Sequence, residues 1–266
     1  MFWIGTHHGL YRFDGLRLKH YQQDPDDSTS LSGPLVLTIF EDFKGYLWVG
    51  TNQNGLNRMD PETGKFKRYY HNSEDANTLS SNNITEVFED SKHRLWVGTW
   101  GSGLNLFDRD TESFRHFTLE EGDQHSIISN DIFDICEDET GLLWFATSNG
   151  VCSYDPELDQ FQNLPNSGTQ ITSLQLDQEQ VLWAGSWDGP HVYRINRRTR
   201  KCQLMNPDPS NGNITDMLLD RENNLWITLN YFGLSKFNRE KNIIDSLEFD
   251  KSNPFWPFRN HRRCDY

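Results

Sequence analysis

The sequence has few cysteines and no long hydrophobic run. Four cysteines occur among 266 residues, and no two of them form a CxxC pair, so the ligand spacing of a zinc site is missing. No apolar stretch approaches the roughly 18 residues that are needed to span a membrane. The first residues lack the basic segment and apolar stretch of a signal peptide. We therefore expect no membrane span, no signal peptide and no cofactor in this chain.

Basic and aliphatic residues are also scarce. The chain has 39 acidic and 25 basic residues, which gives a formal net charge of −14. Because such a surface repels the phosphate backbone, we do not expect nucleic acid as a partner. Hydrophobic residues make up 35% of the chain and aromatic residues 13%, including nine tryptophans. This balance is typical of many short strands that are packed by large rings.

A motif built around tryptophan recurs six times along the chain. It occupies residues 2–6, 47–51, 95–99, 143–147, 182–186 and 225–229. Successive tryptophans are 45, 48, 48, 39 and 43 residues apart. A repeat of this length is typical of the four-stranded blades of a β-propeller.

Each repeat divides into four short β-rich segments separated by turn residues. In the repeat at residues 84–117 these segments are 84–90, 95–99, 104–108 and 113–117. Asp, Asn and Gly between them favour turns. No segment shows a sustained apolar period of 3.6 residues, so helices should be nearly absent. The sequence therefore predicts an all-β fold.

The repeats predict a β-propeller of four-stranded blades over residues 1–250. Five complete blades should begin near residues 36, 84, 132, 171 and 214, after a partial blade at residues 1–22. The partial blade lacks its innermost strand, so we expect a fragment of a larger propeller. Residues 251–266 contain two prolines and a basic cluster without strand alternation. We expect an irregular tail there, disordered or translated out of frame.

Three repeated positions have structural interpretations. The tryptophan can fill the space between adjacent blades, and a small residue two positions later permits close packing of the next sheet. An aspartate precedes each first turn and can accept hydrogen bonds from the turn backbone. These aspartates are Asp42, Asp90, Asp138, Asp177 and Asp220.

These residues resemble the two-component regulator propeller repeat. The resemblance rests on Glu-Asp, a turn, Leu-Trp-Val-Gly-Thr and Gly-Leu-Asn-Arg-Met-Asp, followed by Phe and Tyr, as in residues 41–69. The linkers at residues 26–32 and 75–82 also match the repeat, and the resemblance extends from residue 2 to about residue 249.

The resemblance implies the periplasmic sensor region of a bacterial membrane receptor, commonly a hybrid two-component system with histidine kinase and response-regulator parts. It further implies a ligand derived from a polysaccharide, such as an oligosaccharide or another small molecule. A homodimer of the complete receptor is implied as well. Kinase, receiver and cyclase segments are not found in this sequence, so we expect a sensor module without catalytic activity of its own.

The turns between second and third strands differ from blade to blade within the fixed frame, as expected for function added to a scaffold. An exposed ring offers a stacking surface to a sugar, while Asn and Asp side chains can bind its hydroxyl groups. The alternative is that these rings cap the blades. The candidate residues in these turns are Asn52, Trp100, Trp187, Asp188 and Tyr231.

Acidic residues at the third position of the first strands form a second candidate group. These strands should line the channel of a propeller, where Glu86, Asp134 and Asp216 could contact ligand hydroxyl groups or a cation. The alternative is a solvated polar channel. No calcium-binding loop of the D-x-[DN]-x-[DN]-G type occurs.

Three functions are compatible with this sequence. The first is a non-catalytic sensor of a glycan-derived ligand, and the second is a scaffold that binds protein through the same aromatic loops. The third is a propeller enzyme acting on polysaccharides, which needs two carboxylates that flank the scissile bond. Most carboxylates here repeat with the blade, which favours a structural role for them, and no catalytic residue is predicted.

Overall fold

The structure is a computed structural model that describes residues 1–205, 212–230, 233–239 and 241–246. This part of the chain consists of strands and turns and contains no helix. Consistently, none of the described residues belongs to a helix that could cross a membrane. The chain forms two compact units, the first at Met1–Leu164 and the second at Pro165–Tyr266. The predicted tail at residues 251–266 lies outside the described residues.

The first unit contains four antiparallel sheets, which we number as blades 1 to 4. Blade 1 contains β1 (Phe2–Thr6), β2 (Gly9–Phe13) and β3 (Leu18–Tyr21). Blade 2 contains β4 (Val36–Glu41), β5 (Leu47–Thr51), β6 (Leu56–Met59) and β7 (Phe66–Tyr69). Blade 3 contains β8 (Ile84–Glu89), β9 (Leu95–Thr99), β10 (Leu104–Asp108) and β11 (Ser113–Phe117). Blade 4 contains β12 (Ile132–Glu137), β13 (Leu143–Thr147), β14 (Gly150–Asp155) and β15 (Gln160–Asn163).

The second unit contains two further antiparallel sheets, blades 5 and 6. Blade 5 contains β16 (Ile171–Leu176), β17 (Leu182–Ser186), β18 (Val192–Asn196) and β19 (Lys201–Met205). Blade 6 contains β20 (Ile214–Leu219), β21 (Leu225–Leu229), β22 (Gly233–Asn238) and β23 (Ile243–Ser246).

The predicted β-propeller fold is confirmed, with five four-stranded blades and one partial blade. In every complete blade, the strands pair in chain order from the first to the fourth. The tryptophan motif forms the second strand of each complete blade, and in blade 1 it forms β1. Within the described residues, blade 1 therefore lacks the innermost strand, as predicted.

The repeated tryptophans form the packing centre of the blades. Trp48, Trp96 and Trp144 are fully buried in the first unit. Glycine follows two residues after Trp48, and a Cβ at Gly50 would lie 2.6 Å from Ile84 Cγ2 of the next blade. Only a residue without a side chain fits this close approach, which explains the small residue in the repeat.

The repeated aspartate has two functions in each complete blade. One oxygen accepts hydrogen bonds from the backbone of the following turn, as in the 3.0 Å bonds from Lys44 and Tyr46 to Asp42. The other accepts the indole N–H of the blade's tryptophan at 2.8–2.9 Å. Burial opposes the charge of Asp42, but hydrogen bonds from Trp48 and Arg109 outweigh it and hold the pKa of this carboxyl below its ordinary value. The carboxylate therefore joins the turn to the core.

Each first strand of a complete blade contains the same irregularity. The pairing register with the second strand shifts between the first and third residues of the strand. Such a bulge bends the strand and redirects its side chains. It therefore determines where the third-position residues point.

Candidate ligand-binding loops

Three of the predicted loop residues, and Asn230 beside the predicted Tyr231, occupy one equivalent position in four blades. The backbone N–H of each donates to the carbonyl of the residue that precedes or adjoins the first strand of its own blade, at 2.8–3.1 Å. The pairs are Asn52 with Leu35, Trp100 with Asn83, Trp187 with Gln170, and Asn230 with Asn213. This bond holds each second–third turn at the end of the blade where the first strand begins.

Trp100 is the most exposed of these loop side chains, with 60% of its surface accessible. Its ring meets Phe133 edge to face, with the centroids 6.3 Å apart and the planes at 80°. Phe133 is the second residue of β12, in the following blade. The two rings therefore form an edge-to-face contact between blades 3 and 4.

Sequence reasoning missed Phe133. The equivalent position carries Thr85 in blade 3, Thr172 in blade 5 and Thr215 in blade 6. Thr85 and Thr172 use their hydroxyl groups to bind the carbonyl of the first residue of the next first strand. An aromatic residue at a position that otherwise favours threonine was the available signal.

In the second unit, the equivalent turn of blade 5 contains a tryptophan followed by an aspartate. Trp187 is 39% exposed, and the neighbouring Asp188 is exposed as well. The Asp188 carboxylate accepts a hydrogen bond from the Thr169 hydroxyl, and its backbone N–H donates to Ser186 Oγ at 3.0 Å. A flat ring thus lies beside an oriented carboxylate.

The third-position residues make contacts between neighbouring first strands within each unit. In the first unit, Thr38 Oγ1 donates to Glu86 Oε2 at 3.4 Å. In the second, Ser173 Oγ donates to Asp216 Oδ1 at 3.0 Å. Asp134 Oδ1 accepts from the Ile135 backbone at 2.7 Å. These polar groups are therefore engaged within the protein.

The other candidates have simpler placements. Asn52 is half-buried, and the following residue donates from its backbone to Asn83 Oδ1 at 3.1 Å. Tyr231 lies outside the described residues. Within the described ranges, no group of three or more His, Cys, Asp or Glu side chains could hold a metal ion.

Three concave pockets occur away from these loops. Pockets of about 390 and 530 Å³ lie in the first unit, and one of about 370 Å³ lies in the second. None of the three is lined by a predicted loop residue. These three pockets and the predicted loop residues are therefore separate features of the described residues.

Three segments match a family model described as the two component regulator propeller, at residues 30–53, 78–101 and 126–149. Each segment runs from a linker through a first strand to the turn after the tryptophan strand. These three segments of the chain are therefore similar to the two component regulator propeller repeat. Among curated proteins, none matches this chain.

Solved structures share the fold of this propeller at low sequence identity. An extracellular domain from B. thetaiotaomicron, described as that of a hybrid two component system, is 22% identical with a TM-score of 0.78, covering 93% of this chain and 33% of its own. A second, described as that of a one component system, is 22% identical with a TM-score of 0.75, covering 92% and 35%. The chain thus spans about a third of the length of these two structures.

A further neighbour is an enzyme. Virginiamycin B lyase from Staphylococcus aureus is 16% identical with a TM-score of 0.71, and the match covers 93% of this chain and 80% of the lyase. At such identities the likeness shows the fold, and the chemistry has to be argued from the loops.

Proposed function

We propose that this chain is the ligand-recognition module of a bacterial signal-transduction receptor and acts outside the cytoplasm. The family repeat supports this role, as does the likeness to extracellular domains described as parts of two component and one component systems. The module has no catalytic activity of its own, and the kinase or other output belongs to the complete receptor. Ligand binding shifts that receptor, a homodimer, between two arrangements.

The ligand in this proposal is a glycan fragment that binds to the second–third turns. The observation that carries it is the 60% exposure of Trp100 on a turn fixed by its own backbone hydrogen bond. Ordering a flexible ring on binding costs free energy, and a ring that is already positioned reduces that cost. The contact with Phe133 widens the apolar surface on which a sugar ring can stack.

Carboxylate and amide oxygens in both units provide hydrogen-bonding capacity for hydroxyl groups, because an oxygen that accepts one bond within the protein can accept another. Asn52 and Glu86 belong to blades 2 and 3 of the first unit, and Asp134 follows Phe133 in β12. In the second unit, Asp188 adjoins Trp187. Each unit thus contains an exposed ring and acceptor side chains, the chemistry that a carbohydrate requires.

A protein ligand is the second candidate, because exposed tryptophans are also common anchors of protein interfaces. An enzymatic function has less support. The carboxylates Asp42, Asp90 and Asp138 accept hydrogen bonds from buried tryptophans, so they serve the fold in every blade. The third-position carboxylates are engaged by neighbouring groups.

The test is thermal unfolding of the 266-residue chain against a panel of oligosaccharides. A sugar that binds only the folded state must raise the midpoint, by about 2.7 kcal/mol of stability at 100 times its dissociation constant. We expect Trp100→Ala to abolish the shift. Phe43→Ala is the matched control, because Phe43 is also an exposed ring, at 51%, but belongs to a first–second turn.

Two outcomes would contradict the glycan proposal. An unfolding transition that no sugar shifts would favour a protein ligand instead. A shift that Phe43→Ala removes as completely as Trp100→Ala would show that the second–third turn is not the site. A sugar-dependent shift that only Trp187→Ala removes would place the site in the second unit.

A further inference from the structure

One arginine in each unit follows the third strand of a blade and contacts the buried aspartate of the preceding blade. In the first unit, Arg109 Nη1 lies 2.8 Å from Asp42 Oδ2. In the second unit, Arg239 Nη1 lies 3.0 Å from Asp177 Oδ2. The two arginines occupy the same position in the repeat, directly after Asp108 and Asn238. They should therefore have the same requirements for hydrogen-bond acceptors.

The remaining donors of Arg109 are satisfied within the first unit. Nη2 lies 2.5 Å from Glu89 Oε2, and Nε donates to the His93 carbonyl at 3.3 Å. Only 7% of the Glu89 side chain is exposed. A guanidinium paired to a shielded carboxylate in this way forms one of the stronger hydrogen-bond types in proteins.

The same donors of Arg239 have no acceptor. Nε and Nη2 are both buried and unpaired within the part of the chain that the structure describes. For Nη2 the cause is visible in the sequence, because Leu219 ends β20 where Glu89 ends β8. Leaving charged donors buried and unpaired costs more than leaving neutral ones.

The other function of Glu89 is preserved in the second unit by a different residue. Glu89 also accepts the backbone N–H of Phe43 at 3.3 Å. At the equivalent place, Asn223 Oδ1 accepts the backbone N–H of Gln178 at 3.4 Å. With leucine in place of glutamate, the backbone N–H of Gln178 therefore still has an acceptor, whereas Nη2 of Arg239 has none.

Arg239 lines the pocket of about 370 Å³ in the second unit, together with Arg194, Gln203 and the face of blade 5 around Trp183. Its guanidinium carbon lies 4.9 Å from the centroid of the Trp183 ring. The side chain keeps 26% of its surface exposed, but Nε and Nη2 are themselves buried, so a ligand in the pocket reaches these two donors only when the guanidinium turns towards it. Arg194 and Gln203 supply further donors to the same space.

We infer that this pocket binds a small monocarboxylate, whose oxygens pair with the Arg239 guanidinium as the Glu89 carboxylate pairs with that of Arg109. The planar fork of arginine suits a carboxylate. Asp177 and Glu179 also line the pocket and balance the charges of Arg194 and Arg239. A second negative charge on the ligand would meet these two carboxylates, so a monoanion is favoured over a dianion. This site is separate from the loops around Trp100.

The experiment uses sodium acetate as the probe and the 266-residue chain in Tris buffer. Thermal midpoints are compared in acetate, chloride and sulfate at one pH and one ionic strength. We expect acetate to raise the midpoint by about 2 to 4 °C relative to chloride, at about ten times its dissociation constant. Because sulfate also stabilises folded proteins nonspecifically, the effect of each anion is taken relative to its effect on Leu219→Glu. This difference should be smaller for sulfate than for acetate.

Two exchanged variants provide the controls. Leu219→Glu supplies the carboxylate internally and should remove the acetate effect. Glu89→Leu removes the same carboxylate from beside Arg109, which lines none of the three pockets, and should lower the midpoint without adding an acetate effect. Equal midpoints of the natural chain in acetate and chloride would overturn the inference, as would an acetate effect that persists in Leu219→Glu. A stronger effect of sulfate would overturn the assignment of a monocarboxylate.

Discussion

The two units join neighbouring blades by different means, although their repeats align. In the first unit, Glu89 and Glu137 end the first strands and accept hydrogen bonds from the turns of the preceding blades at Phe43 and Ser91. In the second unit, Leu176 and Leu219 stand at these positions. The first unit therefore uses charge-assisted bonds where the second relies on a neutral amide and apolar packing.

The linkers between blades show a second difference. In the first unit, the backbone N–H groups of Phe66, Phe114 and Phe161, all on fourth strands, donate to linker carbonyls at 2.8–3.0 Å. The fourth strand β19 of the second unit has no such bond among the described residues. Leu204 within it is 46% exposed. Because an unpaired strand edge is a site of association, the linkers of the first unit protect its outer edges.

The comparison indicates that contacts within a blade depend on the tryptophan and its aspartate in both units, whereas the contacts between blades differ. The Asp–Trp bond recurs in both units with nearly the same length. Among the described residues of the second unit, neither the glutamate nor the linker bond recurs. In the second unit, the position that Glu89 occupies in the first unit therefore no longer has the same structural function.

The largest expected effect is the loss of a buried tryptophan. Trp96→Ala should destabilise the chain by about 3–5 kcal/mol, because the ring is fully buried in the first unit. Trp226→Ala should cost clearly less, since Trp226 in blade 6 is only partly buried. Urea unfolding followed by circular dichroism measures both. Equal losses would show that the two units are packed alike.

A smaller loss is expected from the glutamate contact of the first unit. Glu137 accepts the backbone N–H and the hydroxyl of Ser91, both at 2.6 Å. Glu137→Ala should therefore cost about 1.5–3 kcal/mol, and Glu137→Gln should recover part of it by keeping one oxygen. Glu121→Ala, at an exposed position, is the control with little expected change. A loss as small as that of the control would mean that this contact does not hold the blades together.

The sequence was sufficient to predict the blades because every repeat contains its own strands and turns. Spacings within one repeat carry this information. The interval of six residues from Asp42 to Trp48 recurs in all five complete blades and could have revealed the Asp–indole bond. Contacts between repeats are harder to predict, because they join residues far apart in sequence, such as Asp42 and Arg109.

The candidate site was predictable only in part for the same reason. The position of Trp100 follows from its place in the repeat, but its pairing with Phe133 depends on how the next blade packs. The unsatisfied donors of Arg239 could not be recognised without the partner that Arg109 has in the first unit. Comparison of the repeat around Arg239 with the repeat around Arg109 therefore reveals the missing acceptor, which one repeat alone could not show.

The smallest expected effect at neutral pH concerns Asp220 of the second unit. Hydrogen bonds from Asn224 and Trp226 outweigh desolvation and lower the pKa of its carboxyl from 3.8 to about 2. A group whose pKa is depressed by folding contributes stability above its unfolded pKa and loses it as the pH falls through the folded pKa. This contribution should be constant at neutral pH and disappear between about pH 4 and pH 2. Asp220→Asn should flatten the pH dependence of the unfolding free energy in that window, and an unchanged slope would mean that the acid sensitivity arises in the first unit, where Asp42 also has a lowered pKa.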